Sequence, residues 1–497
     1  MYLIVIAVLS IVLAIQRPAD AWIVLRAPAA VGGALALATL VPFALAAWIN
    51  RRAMHLLETH TDDPGVAQVF FGRWMAITQG LIGGLHAAVL LGTTWLAYCR
   101  QTPVIGEWLV LPSALAAGPF VLTIVLVWLA VYPIDRAIRQ IAVEVYLFRG
   151  RPVRPVWPIG RYLAYNLRHQ VLFVLVPLLM LLAARDVIDY YEAALRRVMP
   201  YAYLPDLLLG AAAVFVAVVA PELLRHIWVT QSLPEGPLRD KLQRLCTKLR
   251  MRCRDILVWR SGGMIVNAAV MGVVAPLRYV LITDAMLEQM DDTKIEAVFG
   301  HEAGHVKRHH ILFFLLYGLI SGCVVTIASI QSRHLDAFAA QVLIAGVGLL
   351  LAVKWFVLFG WVSRRFERQA DVFGVRTLAL AGVPCDAPCA IHQPAMPAAA
   401  PRNALCATAA HLFGETLNEV ALLNGIPPEA PSWRHSSIAS RSRFVQALAA
   451  DPRAAARFER KLALIKSVIF AVALAMTVWA AWEMRVWKVV ESLWAAR

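Results

Sequence analysis

Charge is scarce in this chain. Of its 497 residues only 16% are Asp, Glu, Lys or Arg, whereas a soluble globular domain carries about a quarter. With 60% of residues hydrophobic, the deficit points to lipid as a second solvent. Cysteine is sparse too: seven, an odd number at irregular spacing, which excludes a disulfide framework. Cys385 and Cys389, with His392 nearby, lack zinc-ribbon spacing and read as thiols in a Pro/Ala-rich loop over 384–402. No solenoid-period repeat is visible. Paired inverted halves with broken helices are also missing, which argues against a transporter. The net charge of +15 comes with no nucleic-acid-binding motif. The basic residues gather between apolar runs, where they set membrane orientation and meet lipid headgroups. No nucleic-acid partner is expected.

Long apolar runs are what the chain has. A membrane helix needs about 20 mostly apolar residues. Candidates are 29–49, 76–98, 113–134 and 207–224, then 311–330, 340–361 and 464–484, with shorter runs at 2–15 and 171–184. The segment 1–15 lacks the positive start of a secretory signal despite the signal-like Pro18-Ala19-Asp20-Ala21 that follows, and reads as an uncleaved first helix. Lys354 falls inside one run and is expected to face a polar cavity or to snorkel. Residues 135–169 hold Arg136, Arg139, Arg149, Arg151, Arg154, Arg161 and Arg168 against Asp135 and Glu144. That loop is expected in the cytoplasm. Alternation then places 225–310 and 363–461 there too, and 100–111 and 331–338 outside.

The expected organisation is a membrane region (1–224), a first catalytic part (225–310), a membrane hairpin (311–361), a second catalytic part (362–460) and a last helix with its tail (461–497). In the first polar part, 238–250 has helical spacing. The β-rich runs 256–259, 264–271 and 279–282 are separated by Gly262-Gly263 and Pro276. Asp292 and Thr293 are candidate caps for a helix over 295–310.

That helix carries His301-Glu302-Ala303-Gly304-His305. Positions i and i+4 share one helix face, so two imidazoles can grip one metal ion while Glu302 takes a proton from a metal-bound water. A chance match in a chain with 13 His is on the order of one percent. The competing reading is a merely His-rich helix end, since His309 and His310 follow. Catalytic zinc needs a third protein ligand. Glu367, in Ser363-Arg364-Arg365-Phe366-Glu367-Arg368-Gln369-Ala370-Asp371, supplies a candidate. Asp371, one turn on, can hydrogen-bond a ligand His.

These residues resemble the membrane zinc endopeptidases that include the type-1 CAAX prenyl protease and the bacterial heat-shock protease HtpX. Glu367, Ala370 and Asp371 match the family's E-x-x-A-D. Asn267-Ala268 match its upstream strand, Gly272 stands where that strand ends, and 279–310 with Asp284 follows its pattern. His435 and Arg441 match its His-and-Arg segment. The likeness spans about 238–444, and the loop 384–402 departs from it as an insertion. The resemblance implies a mostly α, polytopic membrane protein carrying a small α+β zincin-like (gluzincin) domain. It implies one Zn2+ per chain, held by His301, His305 and Glu367, with Glu302 as general base. It further implies that His435 hydrogen-bonds the tetrahedral intermediate and that Arg441 holds the local carboxylates. Asn267 would align an extended substrate by strand addition, the alternative being a turn Asn between glycines. The expected partners are membrane lipids and a protein or peptide substrate, membrane-associated or lipidated. The expected location is the bacterial inner membrane, with the catalytic part facing the cytoplasm. Misfolded membrane proteins, prenylated peptides and a non-catalytic zinc-bound scaffold stay open.

Overall fold

The computed structural model describes residues 23–497 apart from 104–110, 149, 151–155, 200, 264, 386–388, 390, 392–403, 488–490, 492–493 and 495–497. The expected span at 2–15 and His392 therefore lie outside the described residues, as does nearly all of the 384–402 loop. Two compact units are present, Met1–Val229 and Thr230–Arg497.

The first unit is helical: α1 (Pro28–Thr59), α2 (Gly65–Gly92), α3 (Trp95–Gln101), α4 (Leu111–Phe148), α5 (Ile159–Asn166), α6 (Phe173–Tyr190), α7 (Glu192–Val198) and α8 (Leu204–Ile227). A π segment, Leu167–Leu172, joins α5 to α6. The expected helix over 76–98 is broken. Thr93 turns extended, its hydroxyl donates to Val89 O at 2.8 Å and accepts from Trp95 N–H at 3.1 Å, and α3 restarts there. Pro133 lies inside α4, where Asn50 Oδ1 accepts from the next amide, Ile134 N–H, at 3.0 Å.

Among the described residues, the second unit joins a four-stranded sheet to nine α-helices. The strands are β1 (Thr230–Ser232), β2 (Asp255–Trp259), β3 (Ala268–Met271) and β4 (Tyr279–Thr283), in the order β1-β2-β4-β3. β2 and β4 are parallel and the outer pairs antiparallel. β4 is buried along its whole length, as its near-continuous apolar run Tyr-Val-Leu-Ile requires. The helices are α9 (Pro237–Lys248), α10 (Asp284–Gln289), α11 (Asp292–Lys307), α12 (His310–Ser332), α13 (Ala337–Val353), α14 (Phe359–Ala381), α15 (Ala407–Leu423), α16 (Ile438–Ala450) and α17 (Pro452–Glu483). The cap of α11 is Asp291, one residue before the expected position, and it accepts from Lys294 N–H at 2.9 Å. The helix expected through His310 ends at Lys307 because His309 is left-handed (φ 56°), and α12 starts afresh.

Eight described helical runs are long and apolar enough to cross a membrane by length and composition. They coincide with eight of the nine expected spans. The chain is an integral multi-pass membrane protein. The run that most exceeds its expected bounds is Ala337–Ala381, a single 45-residue helical path through a π turn at Lys354–Leu358. Lys354 there is buried, donating to Tyr317 O at 2.6 Å and Ser321 Oγ at 2.7 Å.

Candidate metal centre

The pair α11–α14 builds the site, and glycine permits their approach. A Cβ on Gly304 would meet Ala370 Cα and Phe373 Cβ at 3.0 Å, and one on Gly300 would meet the Thr377 side chain at 2.7 Å. Those glycines are one turn apart, so a side-chain-free stripe of α11 lies on α14. His301 and His305 on α11 thereby meet Glu367 on α14.

The donor atoms converge. His301 Nε2 and His305 Nε2 are 3.2 Å apart. Glu367 Oε2 is 3.6 Å from the first and Oε1 is 3.7 Å from the second. Ligands about 2.0–2.1 Å from a tetrahedral zinc lie about 3.3 Å from one another, so the spacing fits such an ion. Histidine nitrogens with one carboxylate are also the donor set of an open catalytic zinc site.

Buried partners orient the two imidazoles. His301 Nδ1 lies 3.0 Å from Asp371 Oδ1, close enough for an ion pair though outside hydrogen-bond alignment. Arg441, on α16, grips Asp371 at both oxygens, Nε to Oδ2 at 2.9 Å and NH2 to Oδ1 at 2.6 Å. Burial pulls the His301 imidazole down, but the Asp371 carboxylate overcomes it and the pKa ends above the ordinary histidine value. His305 has no such anion at its second nitrogen, and burial lowers it to about 4. Arg441 is itself buried, yet its pKa is raised further because Asp371 and Glu367 face it.

A chain of hydrogen bonds, which the motif did not reveal, sets the tautomer of His305. His310 Nδ1 is 3.1 Å from His305 Nδ1, and His310 Nε2 is 3.0 Å from Gln369 Oε1. Gln369 is oriented by donating to Glu459 Oε2 at 2.7 Å and by accepting from Lys466 at Oε1, also 2.7 Å. His310 must then donate through Nε2 and accept at Nδ1. His305 donates through Nδ1, which leaves the Nε2 lone pair for a cation. His310 was visible in sequence only as part of a His-rich helix end. Glu459 and Lys466 carried no local signal, since they come from α17.

Glu302 sits between motif and sheet. Thr283 N–H donates to Asn267 O at 3.0 Å, so in the alternating antiparallel pattern Ala268 and Val270 turn their amides away from β4. Val270 N–H donates to Glu302 Oε2 at 3.1 Å. Burial pushes the Glu302 carboxyl up to about 7. A bound cation nearby would draw that value down. Asn267 is exposed just before the edge strand. Gly272 ends that strand at φ 102°, where a Cβ would lie 2.1 Å from Leu277 O, so no other residue fits. Asp284 is buried and accepts from Ser261 and from the Gly262 and Gly263 amides at 2.6–3.3 Å, holding the turn before β3. His435 is largely exposed, with Nδ1 3.0 Å from Glu367 Oε2; a carboxylate has lone pairs enough to accept this bond and ligate a cation.

Known proteins resemble this chain in sequence and in fold. Residues 232–460 match the sequence profile described as Peptidase family M48. The CAAX prenyl protease 1 homolog of Arabidopsis thaliana is 30% identical over 163 residues, 29% of this chain and 37% of that one. Protease HtpX of Nitrosococcus oceani is 31% identical over 110 residues, 20% of this chain and 37% of that one. The chain thus spans little more than a third of these relatives' length. Its fold is similar to the crystal structure of S. mikatae Ste24p, with a TM-score of 0.50 and 13% identity, covering 83% of this chain and 98% of that one. Both the motifs and the profile therefore lead to one likeness: the stretch 232–460 is similar to peptidase family M48.

Proposed function

We propose that the chain is a membrane-embedded, zinc-dependent endopeptidase. The observation that carries this reading is the convergence of His301, His305 and Glu367 beside a buried Glu302. Bound by those three side chains, one zinc ion per chain would supply Lewis acidity and an acidified water.

The remaining chemistry falls to the protein. Glu302 takes the proton of the attacking water and returns it to the departing amine. Its Oε2 is held by Val270 N–H, so Oε1 is the atom that carries the proton. The outward amide and carbonyl of Ala268, beside Asn267, can pair with an extended peptide as an added strand. His435, at the exposed rim, would donate to the substrate oxygen from its other ring nitrogen as an imidazolium, the form in which both ring nitrogens are donors. Asp371 and Arg441 keep His301 oriented. Substrates are membrane-associated or misfolded proteins, in a bacterial inner membrane with the site facing the cytoplasm; the basic stretch 135–169 and the bacterial HtpX relatives support this placement. The part boundaries at 224, 310, 361 and 460 are proposed on the same basis.

The test uses detergent-purified protein beside Glu302→Gln, with zinc measured in both. We expect zinc in each and cleavage of an unfolded protein by the wild type, falling about a hundred- to ten-thousand-fold in the variant. Processing of a farnesylated CAAX peptide in preference to unfolded protein would shift the substrate class. A well-folded wild type without zinc would overturn the reading.

A further inference from the structure

Away from this centre, three thiols meet. The side chains of Cys385, Cys389 and Cys406 place their sulfurs within 4.8 Å of one another, and Cys385 Sγ lies 3.5 Å from Cys406 Sγ. Two thiolates about 2.3 Å from a tetrahedral zinc would lie about 3.8 Å apart, whereas a disulfide closes to about 2.05 Å. Cys406 is buried and caps α15, its sulfur accepting from Ala409 N–H at 3.4 Å. Cys385 follows the left-handed Gly382 that ends α14. Both Cys385 and Cys389 pack on the core of Leu378, Ala409, Ala410 and Phe413. The third sulfur counts against a simple redox pair, because a disulfide uses two and a cation can use all three.

We propose that Cys385, Cys389 and Cys406 form a second metal site, for a thiophilic cation of the zinc class, distinct from the His301–His305–Glu367 centre. An all-sulfur donor set selects zinc or similarly soft ions over magnesium or calcium. The sequence concealed it because no fourth cysteine follows Cys406 to complete the second pair of a zinc ribbon. Such an ion would tie the C-terminal end of α14, the helix of Glu367 and Asp371, to the start of α15, and so close the long loop between them. The proposal does not depend on catalysis.

The full chain in detergent, purified under reducing conditions, is tested by metal content and cobalt spectroscopy. Wild type is expected to hold two zinc ions per chain, and His301→Ala/His305→Ala and Cys406→Ser one each. Serine is a good N-cap, so Cys406→Ser keeps the α15 start; Cys389→Ser, at a position outside the described helices, is the second variant and is expected to lose the same ion. Cobalt loaded into His301→Ala/His305→Ala should show sulfur-to-cobalt charge transfer that Cys389→Ser or Cys406→Ser abolishes. Zinc retained by the histidine variant but lost with the thiols supports the site even if the wild type cleaves nothing. Unchanged zinc in both cysteine variants overturns it, as does a Cys385–Cys406 disulfide in the protein.

Discussion

The helical path Ala337–Ala381 carries buried charge at two places, and they are solved differently. At Lys354 one ammonium is met by neutral groups, a carbonyl and a hydroxyl, and its own carbonyl accepts from Tyr317 Oη at 2.6 Å. At Glu367 and Asp371, thirteen and seventeen positions on, two carboxylates are enclosed by Arg441, His301, His305 and His435. The first arrangement is local: Ser321 Oγ also accepts from the neighbouring Trp355 Nε1 at 3.2 Å, and no second charge takes part in these bonds. The second is interlocked, each group holding another in place. A buried ion pair can be replaced by apolar groups at little cost, but breaking it on one side is expensive.

The contrast predicts a graded series. Asp371→Ala leaves Arg441 buried without its bidentate partner and should destabilise by about 3–5 kcal/mol, read as a lower thermal midpoint with loss of bound zinc. An unchanged midpoint would mean the interlock is absent. Gly304→Leu forces side-chain atoms into Ala370 and Phe373. Overpacking of this kind costs about 1–3 kcal/mol and should separate Glu367 from the histidines, so zinc affinity should fall along with stability. His310→Ala removes the group that orders the His305 tautomer, for an expected 10–100-fold loss of zinc affinity (about 10–100-fold is usual for such partners) with little change in folding. Equal affinity would sink the tautomer relay. Lys354→Met is the smallest: a midpoint equal to or above that of wild type, within about 1 kcal/mol, and unaltered zinc content. A marked loss of zinc there would couple the two places and erase the distinction.

Local spacing explains what could be read in advance. His301, Glu302 and His305 share one turn of one helix, and Glu367 with Asp371 repeats the same i, i+4 step, so periodicity suffices. Arg441 and His435 were reachable only by resemblance, because 70 positions separate Arg441 from Asp371. His310 was hidden by the left-handed break at His309, which turns an apparent helix end into the start of another helix. Gln369, Glu459 and Lys466 act through contacts that span tens of residues and leave no trace in hydropathy. The spans were legible as apolar runs, yet the end assigned at Trp361 followed the onset of charge. Helical hydrogen bonding does not stop where hydropathy does, and α14 continues for twenty residues beyond. β1 is three largely exposed residues, too short and polar to signal a strand.

The uninterrupted path from α13 into α14 also makes the candidate ligand part of a rod. Arg364, the first charge after the apolar run, precedes Glu367 by three positions, a rise of about 4.5 Å at ~1.5 Å per residue. A side chain fixed to a rod cannot slide along it, so the elevation of Glu367 above the apolar layer is built in. Under the proposed function, peptide bonds would have to come to that level to be reached, and a bilayer that tilts the rod shifts the level with it.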